Sequence, residues 1–181
     1  SLAFKKAWHK KILNWYKINK RNLPWRRKTY QNFYRIWISE IMLQQTVVNT
    51  VIPYYKNFLK KWPNLMSFYS ATLEEILLVW QGLGYYQRAR NLFKAKEYLK
   101  NHKLEVNSKS LINLPGIGNY SSCSIAAILK DEACAVVDGN IERILSRVFG
   151  LNRSEKKFKK KIFNIAETLT PKKNNRFYFQ S

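Results

Sequence analysis

Apolar residues recur at three- and four-residue intervals through almost the whole chain, and this periodicity constrains the fold more than any other feature of the sequence. It runs through "AWHKKILNWYKI", "NFYRIWISEIMLQQTVVNTVIPYYKNFLKKW", "LEEILLVW", "RARNLFKAKEYLK", "YSSCSIAAILK", "NIERILSRVFG" and "KFKKKIFNIAETL". Runs that alternate as strands do are nearly absent, so the pattern predicts an all-α fold. Breaks fall at "NLPW", at Pro53, Pro63 and Pro171, and at the glycine pairs "GLG" and "PGIG". No repeat or low-complexity linker separates the stripes, so two lobes, if present, share a cleft rather than hang on a tether. A length of 181 residues, with 46% hydrophobic and 15% aromatic side chains, suits one domain or two small helical lobes.

The charge balance points to the partner. Lys and Arg number 33 against 11 Asp and Glu, a net +22 spread from "FKKAWHKK" to "KKFKKKIF". Such an excess repels itself unless a polyanion faces it, and nucleic acid is the expected partner. No apolar run reaches the roughly 18 residues of a membrane span, and the basic N-terminus has no signal-peptide core, so an intracellular, soluble protein with no membrane partner is expected. Cys123 and Cys134 are too few for a disulfide framework and lack metal-site spacing; two buried thiols in a reducing compartment are expected.

Three segments carry chemistry. In "RIWISEIMLQQTVV", Ile36, Glu40, Leu43 and Val47 fall on one side of a helix, which sets a lone carboxylate in an apolar stripe. Either Glu40 sits at the stripe's edge and reaches water or an Arg, or burial raises its pKa so that it donates a proton near neutral pH. In "LINLPGIGNYSSCSIAAIL", Leu114, Gly116, Gly118 and Tyr120 lie in or just after a tight turn between two helices. That turn is either a plain connection or a phosphate site, its glycines allowing positive φ and close backbone approach, and the second helix offering open N–H groups. In "AVVDGNIERIL", Asp138 ends an apolar run where a helix begins, as a cap residue does. With Glu40 it also makes a pair of carboxyls in unlike surroundings, one apolar and one polar. Glycosidic bonds are cut by that arrangement: one acid protonates the leaving group, and one carboxylate opposes the cationic sugar.

"SEIMLQQT", "WQGLGYYQRARNL", "LPGIGNYSS" and "VVDGNIERILSR" together resemble the MutY-type adenine DNA glycosylases of the helix-hairpin-helix superfamily, over about Asn14 to about Thr170. The resemblance implies a two-lobed all-α glycosylase domain across 1–181, with a six-helix lobe at about 23–136. A second lobe would combine about 1–22 with 137–181. It implies a monomer that binds double-stranded DNA, flips adenine from a mispair with 8-oxoguanine or guanine, and hydrolyses the N-glycosidic bond in the cleft between lobes. Glu40 would protonate N7 of the flipped adenine. Asp138 would oppose the oxocarbenium-like sugar, directly or through a transient covalent adduct, while Asn140 and Tyr120 position sugar and carboxylates. Gln44, Gln45 and Tyr85 would wedge into the duplex, and Trp25 and Arg26 of "LPWR" would contact the adenine pocket. Plain readings stand beside these: Tyr85 packing, Gln44 and Gln45 solvated, Trp25 in the core. In related bifunctional enzymes a Lys stands at the position of Tyr120 and forms a Schiff base, so Tyr implies a monofunctional glycosylase.

Two departures qualify the resemblance. "RKTYQNFYRIW" is a little longer than the family's "DPY" spacing, which loosens the assignment of Arg26. The sequence also ends at "NNRFYFQS", where the family continues into a further helix and four cysteines that bind a [4Fe–4S] cluster. No metal site and no cofactor are expected in this chain, whether it is a fragment or a shortened form, and its second lobe is expected to be incomplete. A non-catalytic DNA-binding module and a glycosylase acting on mispaired thymine are the alternative functions.

Overall fold

The computed structural model of the chain describes residues 2–27 and 31–175. Part of the "RKTYQ" spacing and the final "RFYFQS" lie outside the described residues. Within them every regular element is helical: α1 (Leu2–Asn19), a 3₁₀ turn (Pro24–Arg26), α2 (Phe33–Leu43), α3 (Val48–Lys61), α4 (Leu65–Tyr69), α5 (Leu73–Trp80), α6 (Gln87–Asn101), α7 (Ser108–Leu111), α8 (Asn119–Lys130), α9 (Gly139–Phe149) and α10 (Phe158–Leu169).

Short-range chemistry explains most of the boundaries. Asn32 starts α2 by accepting from the Arg35 backbone N–H at 3.0 Å. Reciprocal capping boxes open α4, with Asn64 and Ser67, and α5, with Thr72 and Glu75. Gly150 ends α9 in the left-handed conformation that glycine adopts without strain. Three expectations are corrected. Pro53 does not break the chain; it lies early in α3, where its ring removes one backbone donor and the helix continues on both sides. The long stripe through Glu40 divides instead at Gln44 to Val47, where neither Gly nor Pro stands and Gln45 takes a φ of 56°. The cysteines are not separate thiols. The chain turns at Asp131, φ 58°, so that Cys134 lies beside α8 and joins Cys123 in a disulfide, with Cα atoms 5.5 Å apart as bridging requires.

Two hydrophobic clusters form. The larger gathers Trp37, Val51, Tyr55, Phe58, Phe68, Trp80, Leu92 and Ile125 from α2 through α8. Aromatic rings dominate it: Phe58 meets Trp62 at 4.8 Å and Phe68 at 5.2 Å between centroids. The smaller gathers Leu145, Phe158, Ile162, Ala166 and Leu169 of α9 and α10, with Trp8 of α1 packed against them. His9 Nε2 lies 2.5 Å from the Leu169 carbonyl oxygen, tying the start of the chain to the end of α10. On their other faces α1, α9 and α10 leave Trp15, Ile18, Val148 and Phe163 exposed. Among the described residues no helix is long and apolar enough to cross a membrane. α2 packs on α8, and Tyr120 in the first turn of α8 feels the charges of both Glu40 and Asp138.

Candidate active site

Glu40 lies in the last turns of α2, among the fully buried Ile36, Trp37 and Ile41. It keeps a partial opening to solvent but is set deep in protein, and burial pushes its carboxyl from 4.5 up to about 7. Two neighbours work against that push without cancelling it: the Ser124 hydroxyl, within hydrogen-bonding reach from α8, and the Arg26 guanidinium. Removal of water from the carboxylate outweighs both. Burial thus favours the protonated form of Glu40 near neutrality, while its partial opening to solvent and the nearby Arg26 keep features of an edge residue that reaches water or an Arg.

Asp138 caps α9, its Oδ1 accepting from the Ile141 backbone N–H at 2.7 Å. Tyr120, in the first turn of α8, is the residue that feels both carboxyls. Although Tyr120 is 41% exposed, partial desolvation by the protein around it raises its phenol to about 12, and the charges of Glu40 and then Asp138 add to the effect. Asn140 is exposed in the first turn of α9, and its amide oxygen accepts from Arg143 at 3.0 Å. Arg26 lies over the Tyr16 ring at 5.6 Å, and burial lowers its pKa while the Glu40 charge works weakly in the other direction. Trp25 is buried with its ring edge-on to Tyr55 at 5.2 Å, a core position.

The hairpin turn separates its two glycines by role. Gly116 has a φ of +83°, and a Cβ there would come within 2.8 Å of the Asn91 Cβ on α6. Backbone conformation and close approach both demand glycine at that position. Gly118 has extended backbone, caps α8 without a side-chain hydrogen bond, and has open space where a Cβ would stand. No side chain caps the first turn of α8, whose leading N–H groups have no partner within the helix. Leu114 is buried and anchors the turn, its carbonyl accepting from Ile117 N–H at 3.0 Å.

Gln44 reaches across this interface, its Nε2 donating to the Gly116 carbonyl at 3.0 Å and to Ser121 Oγ at 3.3 Å. Its neighbour Gln45 is exposed with a φ of 56°, and Tyr85 is exposed with a φ of 48°. Left-handed backbone is uncommon for residues other than glycine and concentrates at functional sites. Residues that sequence reasoning did not single out complete the picture: Ser124 beside Glu40, Ser121 beneath Gln44, Asn91 beneath Gly116, and the buried Arg88. The one available signal was a polar series, Ser121, Ser122 and Ser124, in a helix that otherwise reads as apolar.

A [4Fe–4S] cluster does not fit this chain. Its thiolate cage takes four cysteines, whereas the sequence holds two, and these are joined to each other. Among the described residues no group of His, Cys, Asp or Glu could hold a metal ion.

Residues 38–172 match the family described as HhH-GPD superfamily base excision DNA repair protein. The chain is 43% identical over 166 residues to an adenine DNA glycosylase of Buchnera aphidicola subsp. Schizaphis graminum (strain Sg), covering 88% of this chain and 47% of that protein. It is 40% identical over 175 residues to an adenine DNA glycosylase of Homo sapiens, covering 90% of this chain and 32% of that protein. The chain thus spans about half the length of the bacterial relative and about a third of the human one. A solved thermostable thymine-DNA glycosylase superposes with a TM-score of 0.81 at 25% identity, covering 97% of this chain and 82% of that one. A trapped endonuclease III–DNA covalent intermediate superposes with a TM-score of 0.76 at 17% identity over 97% of this chain, a likeness of fold.

Proposed function

This chain belongs to the HhH-GPD superfamily of base excision DNA repair proteins, and from that premise we propose that it carries out adenine DNA glycosylase chemistry on double-stranded DNA. The observation that carries the reading is the convergence of two unlike carboxyls on Tyr120, one raised to about 7 and the other capping a helix. Adenine mispaired with 8-oxoguanine or guanine is the substrate. Glu40 donates a proton to N7 of the extruded base, the C1′–N9 bond breaks, and its electron pair leaves with adenine. Asp138 opposes the positive charge that develops on the sugar. Water then adds to C1′ and gives up a proton, which restores the balance of the acid.

Arg26 faces Glu40 and belongs to the rim of the base pocket, while Trp25 supports that rim from the core. Gln44, Gln45 and Tyr85 fill the gap in the duplex, compensating the few kcal/mol that unstacking costs. The turn at Gly116 and Gly118, with the start of α8, holds a backbone phosphate, and the +22 charge attracts the rest of the duplex. Tyr120 in place of a lysine nucleophile makes the reaction monofunctional. The protein acts as a monomer, inside the cell, without a metal or cofactor bound by these residues. The cleft where the reaction occurs lies between the larger and the smaller hydrophobic cluster. Asn140, held by Arg143 in the free protein, turns to the sugar when DNA is bound.

The likeness to a thymine-DNA glycosylase favours a second reading, in which thymine opposite guanine is removed on the same fold. Duplexes carrying adenine opposite 8-oxoguanine, adenine opposite guanine, or thymine opposite guanine, each treated with alkali after incubation, separate the two. Strand breaks at adenine are expected. Breaks at thymine alone favour the second reading, and no breaks with retained duplex binding would leave a non-catalytic DNA-binding module.

A further inference from the structure

Arg88, in the first turn of α6, is 7% exposed and has no carboxylate partner among the ion pairs of the described residues. Its guanidinium is spent on backbone carbonyls from two separate turns. Nη1 faces the last carbonyls of α2, donating to Met42 O at 2.6 Å, Gln44 O at 2.5 Å and Ile41 O at 3.2 Å. Nη2 donates to Gly84 O at 3.1 Å and Leu83 O at 3.4 Å in the turn between α5 and α6. The plane of the cation lies near two rings, 5.5 Å from the centre of Trp80 and 5.3 Å from that of Tyr85. Trp80 Nε1 also donates to Gly84 O, at 3.1 Å, so the second turn is held twice.

A buried cation without a counter-ion is expensive unless its donors are met; here Nε has no partner among the described residues, but both Nη groups meet the ends of two elements far apart in sequence. Both elements lead into a left-handed residue with an exposed side chain, Gln45 after the first and Tyr85 after the second. Residues in such conformations persist only where the surroundings over-determine them. Five carbonyls fixed by one guanidinium supply that constraint for both turns at once.

We propose that Arg88 is a positioning residue that fastens the Gln44–Gln45 turn to the Leu83–Tyr85 turn, so that the side chains entering the duplex do so as one rigid unit. The proposal rests on the wedge reading of Gln45 and Tyr85 given above. Lysine at this position keeps the charge but loses the planar fork that reaches both turns.

The test compares the unmodified chain with R88K and R88M by two measurements that need no catalysis. The first is hydrogen exchange of the amides of residues 44–47 and 82–86. Both sets are expected to lose protection together, by about tenfold or more, while α3 and α9 keep theirs. The second places 2-aminopurine opposite 8-oxoguanine and follows its fluorescence on saturation with protein. The unmodified chain is expected to raise it by extruding the base, and both variants to bind the duplex while losing most of that rise. Loosening of residues 82–86 alone, or full extrusion by the variants, would overturn the proposal. So would loss of helical signal in both variants, which assigns Arg88 to folding as a whole. Failure of the unmodified chain to extrude the base removes the wedge reading and the proposal with it. Extrusion without any release of adenine refutes the glycosylase function and leaves the assignment of Arg88 intact.

Discussion

Replacing Glu40 by Gln should stabilise the protein at neutral pH, and the gain should vanish in acid. An exposed glutamate in an unfolded chain loses its proton near 4.5, whereas burial holds the proton of Glu40 up to about 7. Between those two values the folded state binds more protons than the unfolded state, so the contribution of Glu40 to stability falls as pH rises through the window. Above it the carboxylate is ionised in a place that disfavours charge. At about 1.4 kcal/mol per pH unit the gap corresponds to at most about 3.5 kcal/mol. Water entering the partly open site reduces this, and a gain of about 1 to 3 kcal/mol at pH 8 is expected, or roughly 3 to 9 °C in melting temperature for a chain of this size. Urea unfolding of both proteins, followed by circular dichroism at pH 4.5, 6, 7 and 8, measures it. The two curves should coincide near pH 4.5 and separate progressively up to about 7. A stability difference that stays constant across the series would refute the raised pKa, and an advantage for Glu40 at pH 8 would mean that its carboxylate is paired rather than desolvated.

Other expectations follow from single contacts. Asp138→Asn keeps an oxygen for the Ile141 N–H, so its urea midpoint should barely move while adenine release is lost; unfolding in step with the lost activity would make Asp138 purely a cap. Gly116→Ala must displace Asn91 and strain a left-handed backbone, and should lose about 2 to 4 kcal/mol in urea unfolding. Gly118→Ala, by contrast, has room and extended backbone, so stability should hold while duplex affinity falls, and unchanged binding would remove the phosphate from this turn. Duplex affinity should drop steeply with salt, with a logarithmic slope of about 0.9 per neutralised phosphate; a flat dependence would argue against a polyanionic partner.

The fold was largely legible because helical stripes and caps are local signals. Thr72 with Glu75 marks the start of α5 and Gly150 the end of α9, each readable within a few residues. The division between α2 and α3 was not, since it rests on the Arg88 guanidinium gripping carbonyls from 44 to 47 residues away. Pro53 shows the converse: a local breaker overridden where tertiary packing favours continued helix. In the site, the unusual setting of Glu40 could be read from its stripe, but the identity of its neighbours could not. Ser124 and Arg26 approach from α8 and from the turn before α2, and only the packing of those elements sets how far the acid is shifted. The pairing of Cys123 with Cys134 likewise depends on the turn at Asp131, whose left-handed backbone no residue type in that stretch demands.

The central claim is that Glu40 delivers the proton that releases adenine. Single-turnover release from a duplex carrying adenine opposite 8-oxoguanine, measured from pH 5.5 to 8.5 with protein in excess, tests it most directly. The rate constant should fall about tenfold per pH unit above about 7, as the protonated fraction of Glu40 does, and Glu40→Gln should show no release at any pH. A rate constant that is level across that range, or a Glu40→Gln protein that releases adenine as fast as the unmodified chain, would contradict it.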